Sequence, residues 1–249
     1  MPATLAWPPR SAPRLFVQGP LASGASVALE GSLAHYLSRV MRLGEDDVVV
    51  LCDDATGEWA TRVASVGKRE VTLLVEVLLR PREQVPDFTL CAALLKKDRF
   101  DLVLEKACEL GVRRIQPVLT RRCVADKLNL ERARAILIEA AEQCARTALP
   151  ELAAPVKLEV LLKGWQETRA LYFADELGGD PAVAAFTARS GPAALLTGPE
   201  GGFDEAERTA IRLFSPARAI TLGPRILRGE TAAIAGTALW MGTAGDWNR

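Results

Sequence analysis

Histidine is almost absent from this sequence. The chain has 249 residues, and His35 is its single histidine. A mechanism in which histidine activates a serine or cysteine nucleophile would have to use that one side chain. Because His35 lies far in sequence from every glycine-rich segment, we expect it to be structural or to face a bound partner rather than to act in such a pair.

Cysteine is also scarce, and its spacing does not suit a disulfide framework or a zinc site. There are five cysteines, and no two of them form a C-x-x-C pair. An odd number without such pairs argues against both kinds of site. We expect small buried thiols in a reducing compartment and no bound metal.

Long apolar runs are missing as well. No run reaches the ~18 residues that would span a bilayer. Residues 1–14 lack the charged start and apolar core of a signal peptide, and we expect them to form a loose arm. These absences predict a cytoplasmic protein that does not bind a membrane.

The chain has no net charge, since 31 basic residues balance 31 acidic ones. This argues against a surface coated throughout in basic charge. The distribution is uneven, however, because the segment from Lys96 to Lys127 contains nine basic and five acidic residues. Such a strip is either a solvated face or a surface that contacts phosphates.

The sequence divides into two halves of different character. Up to residue 82, turn signals separate four short β-branched runs, RLFV, VVVLCDD, EWATRVASV and EVTLLVEVLL, which predicts a small β-barrel. One short helix, from about Leu33 to Arg42, interrupts these runs. The segment RPREQVPD then breaks the pattern with two prolines. We therefore predict a first domain at residues 1–82 and a second at 88–249.

The second half alternates buried strands with helices. Strands are predicted at FTLCAALL, RIQPVLT, ALYFAD, AALLTG and AITLG. Asp98 is expected to cap the first helix, which Gly111 ends. Further helices are expected over about 130–147, 204–214 and 230–241. Asp204 is expected to be the N-cap of the second of these. This alternation predicts an α/β fold with a parallel sheet and helices on both faces.

Two loops in this half share one plan. ALLTGPEGGFDE and AITLGPRILRGETA each contain an apolar strand, a Gly-Pro pair, a loop and the start of a helix. In a parallel sheet such loops lie at the carboxyl ends of strands, where ligands bind. Glycine lets a ligand lie directly against the backbone, and proline stiffens the loop. The pair therefore predicts a site for a group such as adenine, although each Gly-Pro could be only a turn.

The two loops resemble a known family. LLTGPEGGF together with LGPRILRGETA resembles signature segments of the RsmE family of SPOUT-class methyltransferases. RLFV and HYLSRVMRLGEDD resemble that family's N-terminal PUA-like barrel. ALLKKDRFDLVLEKACELGVRRIQPVLTRRCV and EAAEQCAR resemble its first catalytic segments, so the resemblance covers nearly the whole chain. Two residues depart from the family's usual pattern, Ala145 where glycine is usual and Gly229 where threonine or alanine is common.

The resemblance implies a specific activity and architecture. Members use S-adenosylmethionine to methylate N3 of one uridine in the 16S ribosomal RNA of the small subunit. They have an N-terminal RNA-binding domain and a C-terminal parallel sheet with a trefoil knot. They form homodimers with the methyl donor at the interface. The apolar helix TAAIAGTALWMG suits burial at such an interface, but it would also suit the interior of one chain.

The resemblance also assigns expected roles to individual residues. Cofactor contacts are expected from Thr197, Gly198, Glu200, Gly201, Gly202, Leu222, Gly223, Ile226 and Leu227. RNA contacts are expected from Arg39, Arg42, Arg113, Arg121 and Arg122, each of which could equally be a solvated surface residue.

Methylation at N3 requires that the nitrogen lose its proton and that negative charge on the uracil oxygens be stabilised. Arg228 and Arg146 are the candidates for the cation, and Glu200 or Glu230 for a base. Both carboxylates have a structural alternative. Glu230 lies at a helix N-terminus, where a negative charge is favourable in itself, and Glu200 could accept backbone N–H bonds from its own loop.

Three other functions remain open from the sequence. A non-catalytic RNA-binding module would use the barrel but would leave the two Gly-Pro loops unexplained. A nucleotide-dependent oxidoreductase lacks its G-x-G-x-x-G segment here. A related SPOUT enzyme that acts on another RNA, or on a ribose 2′-hydroxyl, is the alternative that the sequence excludes least well. The two Gly-Pro loops indicate the methyl donor but do not identify the RNA group that accepts the methyl.

Overall fold

The computed structural model describes residues 8–9 and 11–247. Most of the arm predicted at the start of the chain therefore lies outside the described residues. The chain forms two compact units, of which the N-terminal unit runs to Gln84 and includes Ala141–Ala148. The C-terminal unit contains Val85–Ala140 and the residues from Leu149 onward. The sequence prediction did not foresee that residues 141–148 pack with the first unit.

The N-terminal unit is built on one five-stranded sheet in the order β1-β3-β4-β5-β2. Its strands are β1 (Arg14–Phe16), β2 (Ser26–Glu30), β3 (Val48–Cys52), β4 (Gly57–Val66) and β5 (Glu70–Pro81). The β1–β3 pair is parallel and the other pairs are antiparallel. Because β1 and β2 lie at opposite edges, the sheet is a half-barrel, and β2 is a strand that the sequence did not predict.

One helical segment packs on this sheet. Helix α1 (Gly31–His35) continues as a π-helical turn over Tyr36–Val40, in which the Met41 N–H donates to the Tyr36 carbonyl at 2.9 Å. Leu37 is fully buried in the core of the unit. The predicted helix was therefore placed correctly, but its π-helical second half was not predicted.

The C-terminal unit is built on an entirely parallel sheet in the order β11-β13-β10-β12-β6-β7-β8, with β9 also paired to β7. Its strands are β6 (Phe88–Ala93), β7 (Arg114–Leu119), β8 (Glu151–Leu152), β9 (Val156–Lys157), β10 (Ala170–Ala174), β11 (Asp180–Pro181), β12 (Ala193–Thr197) and β13 (Ala217–Thr221). Its helices are α2 (Lys97–Glu109), α3 (Leu130–Gln143, which enters the N-terminal unit at its end), α4 (Leu158–Lys163), α5 (Ala182–Thr187), α6 (Glu205–Leu213) and α7 (Gly229–Thr243).

The helix starts show which caps the sequence can predict. Asp204 caps α6, accepting from the Glu207 N–H at 2.7 Å, while the Glu207 carboxylate accepts from the Asp204 N–H at 3.1 Å. The prediction that Asp98 caps α2 was wrong. The N-cap is Lys96, whose N–H donates instead to the Glu200 carboxylate, and Asp98 lies within the first turn.

The parallel sheet brings five loops to one edge. Because its strands all point the same way, the segments that follow β6, β7, β10, β12 and β13 leave from the same side, which we call the carboxyl edge. Both Gly-Pro loops lie there. Within the part of the chain that the structure describes, no helix has the length and apolar character needed to cross a bilayer.

Candidate functional site

A concave pocket of about 750 Å³, open solvent included, lies at the carboxyl edge over β10, β12 and β13. Six of the nine residues predicted to bind a cofactor line it, namely Gly198, Gly202, Leu222, Gly223, Ile226 and Leu227. The other three, Thr197, Glu200 and Gly201, do not line it. Thr197 is buried at the end of β12, whereas Glu200 and Gly201 are exposed on the loop above.

The glycines of the pocket keep its wall free of side chains. A Cβ atom on Gly202, whose φ is +65°, would come within 2.9 Å of the Glu176 carboxylate. A Cβ on Gly198 would meet the Phe203 ring at 3.0 Å. Gly223 has a φ of +121°, which other residues rarely adopt. The wall is therefore bare backbone at three points, as a ligand held by N–H and C=O groups requires.

The GPEGG segment, which follows β12, is tied to the segments that follow β6 and β7. The Glu200 Oε1 accepts the backbone N–H of Lys96, which follows β6, at 3.0 Å. The Arg122 Nη1, which follows β7, donates to the Gly201 carbonyl at 2.9 Å. These two contacts fix the loop from the side that faces away from the pocket. The glutamate between the glycines therefore anchors the loop.

The opposite side of the pocket is acidic, and sequence reasoning missed it. Asp175 is buried at the end of β10 and accepts from Arg208 Nε at 3.2 Å and from Arg212 Nε at 2.9 Å. Arg208 also donates to the Glu176 Oε1 at 2.6 Å, which holds that carboxylate against Gly202. The signal was present in the sequence, because Asp175 ends the predicted strand ALYFAD and Glu176 directly follows it, at the same edge.

The four catalytic candidates occupy different surroundings. Arg228 is exposed at the N-cap of α7, next to the pocket-lining residues Leu227 and Gly229. Glu230 is buried and paired with Arg99 of α2, and its Oε2 has no hydrogen-bond partner among the described residues. Glu200 anchors its loop, as described above.

Arg146, the fourth candidate, belongs to the N-terminal unit and is not among the residues that line the pocket. It is 5% exposed, and its Nε lies 3.3 Å from the Glu83 carboxylate. Its backbone carbonyl accepts from Arg14 at 3.1 Å. These contacts place Arg146 in a buried network of charges within its own unit.

The predicted RNA-contacting arginines do not form one strip. Arg39 and Arg42 are exposed on the N-terminal unit. Arg113 precedes β7 and therefore lies at the amino edge of the parallel sheet, 3.7 Å from Asp87. Arg121 and Arg122 follow β7 at the carboxyl edge, and Arg121 is paired with Asp204 at 3.0 Å.

Two family models match the chain, an RNA methyltransferase domain over residues 81–241 and an RNA methyltransferase PUA domain over residues 29–76. The ribosomal RNA small subunit methyltransferase E of Synechocystis is 34% identical over 215 residues, which are 84% of this chain and 70% of that protein. This chain belongs to the ribosomal RNA small subunit methyltransferase E family. Its Rickettsia conorii member is 28% identical over 90% of this chain and 93% of its own length.

Solved structures agree with the assignment to the methyltransferase E family. The Neisseria gonorrhoeae methyltransferase E bound to S-adenosyl methionine superposes with a TM-score of 0.85 at 28% identity, covering 95% of this chain and 99% of its own. A putative methyltransferase from Legionella pneumophila with bound cofactor SAM gives 0.84 at 28% identity, covering 94% and 99%. The predicted family and fold class are confirmed. The knot and the dimer stay predictions.

Metal ligation finds no support in the described residues, where no three histidine, cysteine, aspartate or glutamate side chains come together as a metal site would require. Two of the buried thiols are poor candidates for nucleophiles, because burial disfavours the thiolate form. Burial raises the pKa of Cys91 to about 12 and that of Cys52 to about 11.

Proposed function

We propose that this protein transfers the methyl group of S-adenosylmethionine to N3 of a uridine in the 16S ribosomal RNA of the small subunit. The observation that carries the proposal is the pocket at the carboxyl edge, which joins both Gly-Pro loops into one bare-backbone wall. Membership of the methyltransferase E family supports the same reaction and the same class of RNA.

The residues of the pocket fit the proposed donor. The pocket is concave and combines apolar side chains with bare backbone, as small-molecule sites do. Leu222 and Leu227 are half-buried and Ile226 is 82% exposed, so three aliphatic side chains are available to cover an adenine ring. Gly198, Gly202 and Gly223 let backbone donors and acceptors approach it without steric hindrance.

S-adenosylmethionine supplies an electrophilic methyl group, and the chain has to provide alignment and charge stabilisation. As N3 loses its proton, negative charge builds up on the uracil oxygens, and a positioned cation lowers the barrier. We assign this role to Arg228, which is exposed beside the pocket and forms no ion pair with any described residue. Its guanidinium charge is therefore available to the substrate.

We assign the two carboxylates to positioning rather than to proton transfer. Glu230 is buried and paired with Arg99, so it holds the start of α7, and with it Arg228, against α2. Glu200 anchors the GPEGG loop through the Lys96 N–H. Each contact fixes a segment that carries a pocket residue or the proposed cation.

Further parts of the proposal concern the whole protein. We infer that residues 1–82 form the RNA-binding domain, with Arg39 and Arg42 among its contacts, and that residues 88–249 form the methyltransferase domain. We also infer a homodimer, a trefoil knot in the C-terminal half and, since the proposed substrate is the ribosomal subunit, action in the cytoplasm. The two family models support the RNA-binding and methyltransferase domains.

Two variants test the donor pocket and Arg228 separately. Gly202→Val places a side chain against Glu176 at a positive φ, so we expect calorimetry to detect no binding of S-adenosylmethionine. Arg228→Ala should bind the donor as the wild type does and lose turnover by about 100-fold or more, because it removes only the transition-state cation. Transfer of labelled methyl to small subunits that lack the modification measures turnover.

Normal donor binding by folded Gly202→Val protein would contradict the assigned pocket. Loss of donor binding in Arg228→Ala would instead make Arg228 a structural residue. Circular dichroism melting of both variants, together with the milder Gly202→Ala, distinguishes a lost site from a lost fold. Label that enters RNA as a 2′-O-methyl group, or only in transfer RNA, would favour the related SPOUT activities over the proposed one.

A further inference from the structure

Four cations cluster at the carboxyl edge beside the donor pocket. Lys96 and Lys97 follow β6, Arg122 follows β7, and Arg228 precedes α7. All four are exposed, and none of them is ion-paired with another residue that the structure describes. Their charge is therefore not neutralised within the described part of the chain.

These cations meet because three segments converge on the GPEGG loop. The Lys96 N–H donates to Glu200 at 3.0 Å, and Arg122 donates to the Gly201 carbonyl at 2.9 Å. On the third side, a Cβ on Gly229 would come within 2.9 Å of the Gly198 carbonyl, so the start of α7 lies against the same loop. The positively charged surface thus surrounds the loop that forms one wall of the pocket.

The charge around the pocket is asymmetric. Toward β6 and β7, three exposed carboxylates accompany the four cations on the same segments, namely Asp98, Asp126 and Glu200. Toward β10 the pocket is lined by Asp175 and Glu176, whose partner arginines are already paired with them. A polyanion is therefore attracted from the β6 side and repelled, or at best unaffected, on the β10 side.

Other arginines of the basic segment do not share this surface. Arg113 lies at the amino edge, at the other end of β7, and Arg121 is neutralised by Asp204. The local excess of basic residues in the sequence is thus divided by the fold between two edges of the sheet.

We propose that Lys96, Lys97 and Arg122 form a phosphate-binding surface that brings the acceptor RNA strand to the donor pocket from the β6 side. Arg228, between this surface and the pocket, then faces the target base rather than the backbone. This inference rests on the proposed function, since it takes RNA as the substrate. It adds two lysines and an approach direction to that function.

The test is the salt dependence of RNA binding. Each phosphate contact that is lost makes the plot of log K against log salt concentration shallower by about 0.7–0.9. For Lys96→Ala/Lys97→Ala we expect a slope shallower by about 1.4–1.8, measured by filter binding of 16S ribosomal RNA between about 50 and 200 mM potassium chloride. Both side chains are exposed, so folding should be unaffected.

A matched control removes two charges at the opposite edge. Arg113 precedes β7, and Arg189 precedes β12 and donates to the Thr168 carbonyl at 3.0 Å. Arg113→Ala/Arg189→Ala should leave the slope unchanged, and Lys96→Arg/Lys97→Arg should retain the wild-type slope. Donor affinity, measured by calorimetry, should be the same in all three variants.

An unchanged slope in Lys96→Ala/Lys97→Ala would overturn the inference, and so would an equal change in the control. Either result would leave the proposed function intact if the wild-type protein methylates the RNA. Failure of the wild type to bind the donor or to methylate any RNA would instead reject the proposed function itself.

Discussion

At the scale of single residues, Ala145 shows how a departure from the family pattern is accommodated. It has a φ of +58°, and it directly follows Cys144, the residue after the end of α3. The Arg146 N–H donates back to the Ala141 carbonyl at 3.0 Å. This bond, from a residue to the carbonyl five positions earlier, is the 6→1 hydrogen bond of a Schellman C-cap. Glycine is the residue best suited to that position, so the backbone keeps the glycine conformation with alanine in place.

Ala145→Gly should therefore stabilise the protein. Removing a Cβ from the left-handed region relieves about 1 kcal/mol of strain, which corresponds to a melting temperature about 2–4 °C higher. Differential scanning fluorimetry measures the shift. Ala135→Gly, at an exposed position within α3, is the control and should lower stability by about 1 kcal/mol. A drop in melting temperature for Ala145→Gly would contradict the conformation assigned to the cap.

Glu200 allows a test that separates anchoring from proton transfer. Glu200→Gln keeps an oxygen that can accept the Lys96 N–H, so the loop, donor affinity and turnover should all be retained, whereas Glu200→Ala should weaken donor binding. Calorimetry and single-turnover methylation across pH provide the readouts. If Glu200→Gln bound the donor normally but lost about 10²–10⁴ in rate, together with one limb of the pH profile, Glu200 would be the general base.

At the scale of elements, the sequence predicted a cap only when both partners were close in the chain. Asp204 and Glu207 are three residues apart, so their reciprocal bonds to α6 could be expected. The partner of the Lys96 N–H at the start of α2 is Glu200, which is distant in sequence and is placed by the sheet. The two-residue strands β8, β9 and β11 escaped prediction because they are too short to show periodicity.

The turn between β3 and β4 is organised by one buried carboxylate. Asp53 is 1% exposed and accepts from the N–H groups of Leu21 at 2.8 Å and Ala55 at 2.7 Å, and from both the N–H and the hydroxyl of Thr56. Burial alone would raise the pKa of Asp53, but these hydrogen bonds outweigh it and lower the pKa below its usual value.

Asp53→Asn should lower the free energy of unfolding by about 2 kcal/mol at neutral pH. The asparagine NH₂ group would replace one accepting oxygen, so it would point at a donor that Asp53 now binds. A lowered pKa in the folded state means that the wild-type contribution is fully present above the unfolded pKa of about 3.9 and is lost as the pH falls through the folded pKa. Urea unfolding of the wild type and of Asp53→Asn at pH values between about 7 and 3 measures this contribution to the free energy of unfolding. A difference between the two proteins that stayed constant over this range would contradict the lowered pKa.

At the scale of the whole molecule, motif resemblance predicted the family, whereas the fold class and the meeting of the two Gly-Pro loops at one pocket could be predicted for a physical reason. Parallel strands carry their following loops to one edge, so two similar loops far apart in sequence could be expected to meet. The same reasoning missed Asp175 and Glu176, because the loop after β10 has no Gly-Pro pair. It also missed the packing of residues 141–148 with the N-terminal unit, which no local pattern records.

The identity of the product nucleoside tests the central claim most directly. Small ribosomal subunits that lack the modification would be incubated with the protein and labelled S-adenosylmethionine, and the digested 16S ribosomal RNA analysed by mass spectrometry. We predict labelled 3-methyluridine from the wild type and none from Gly202→Val. Label in any other nucleoside, or no label despite normal donor binding, would contradict the assignment of uracil N3 as the acceptor.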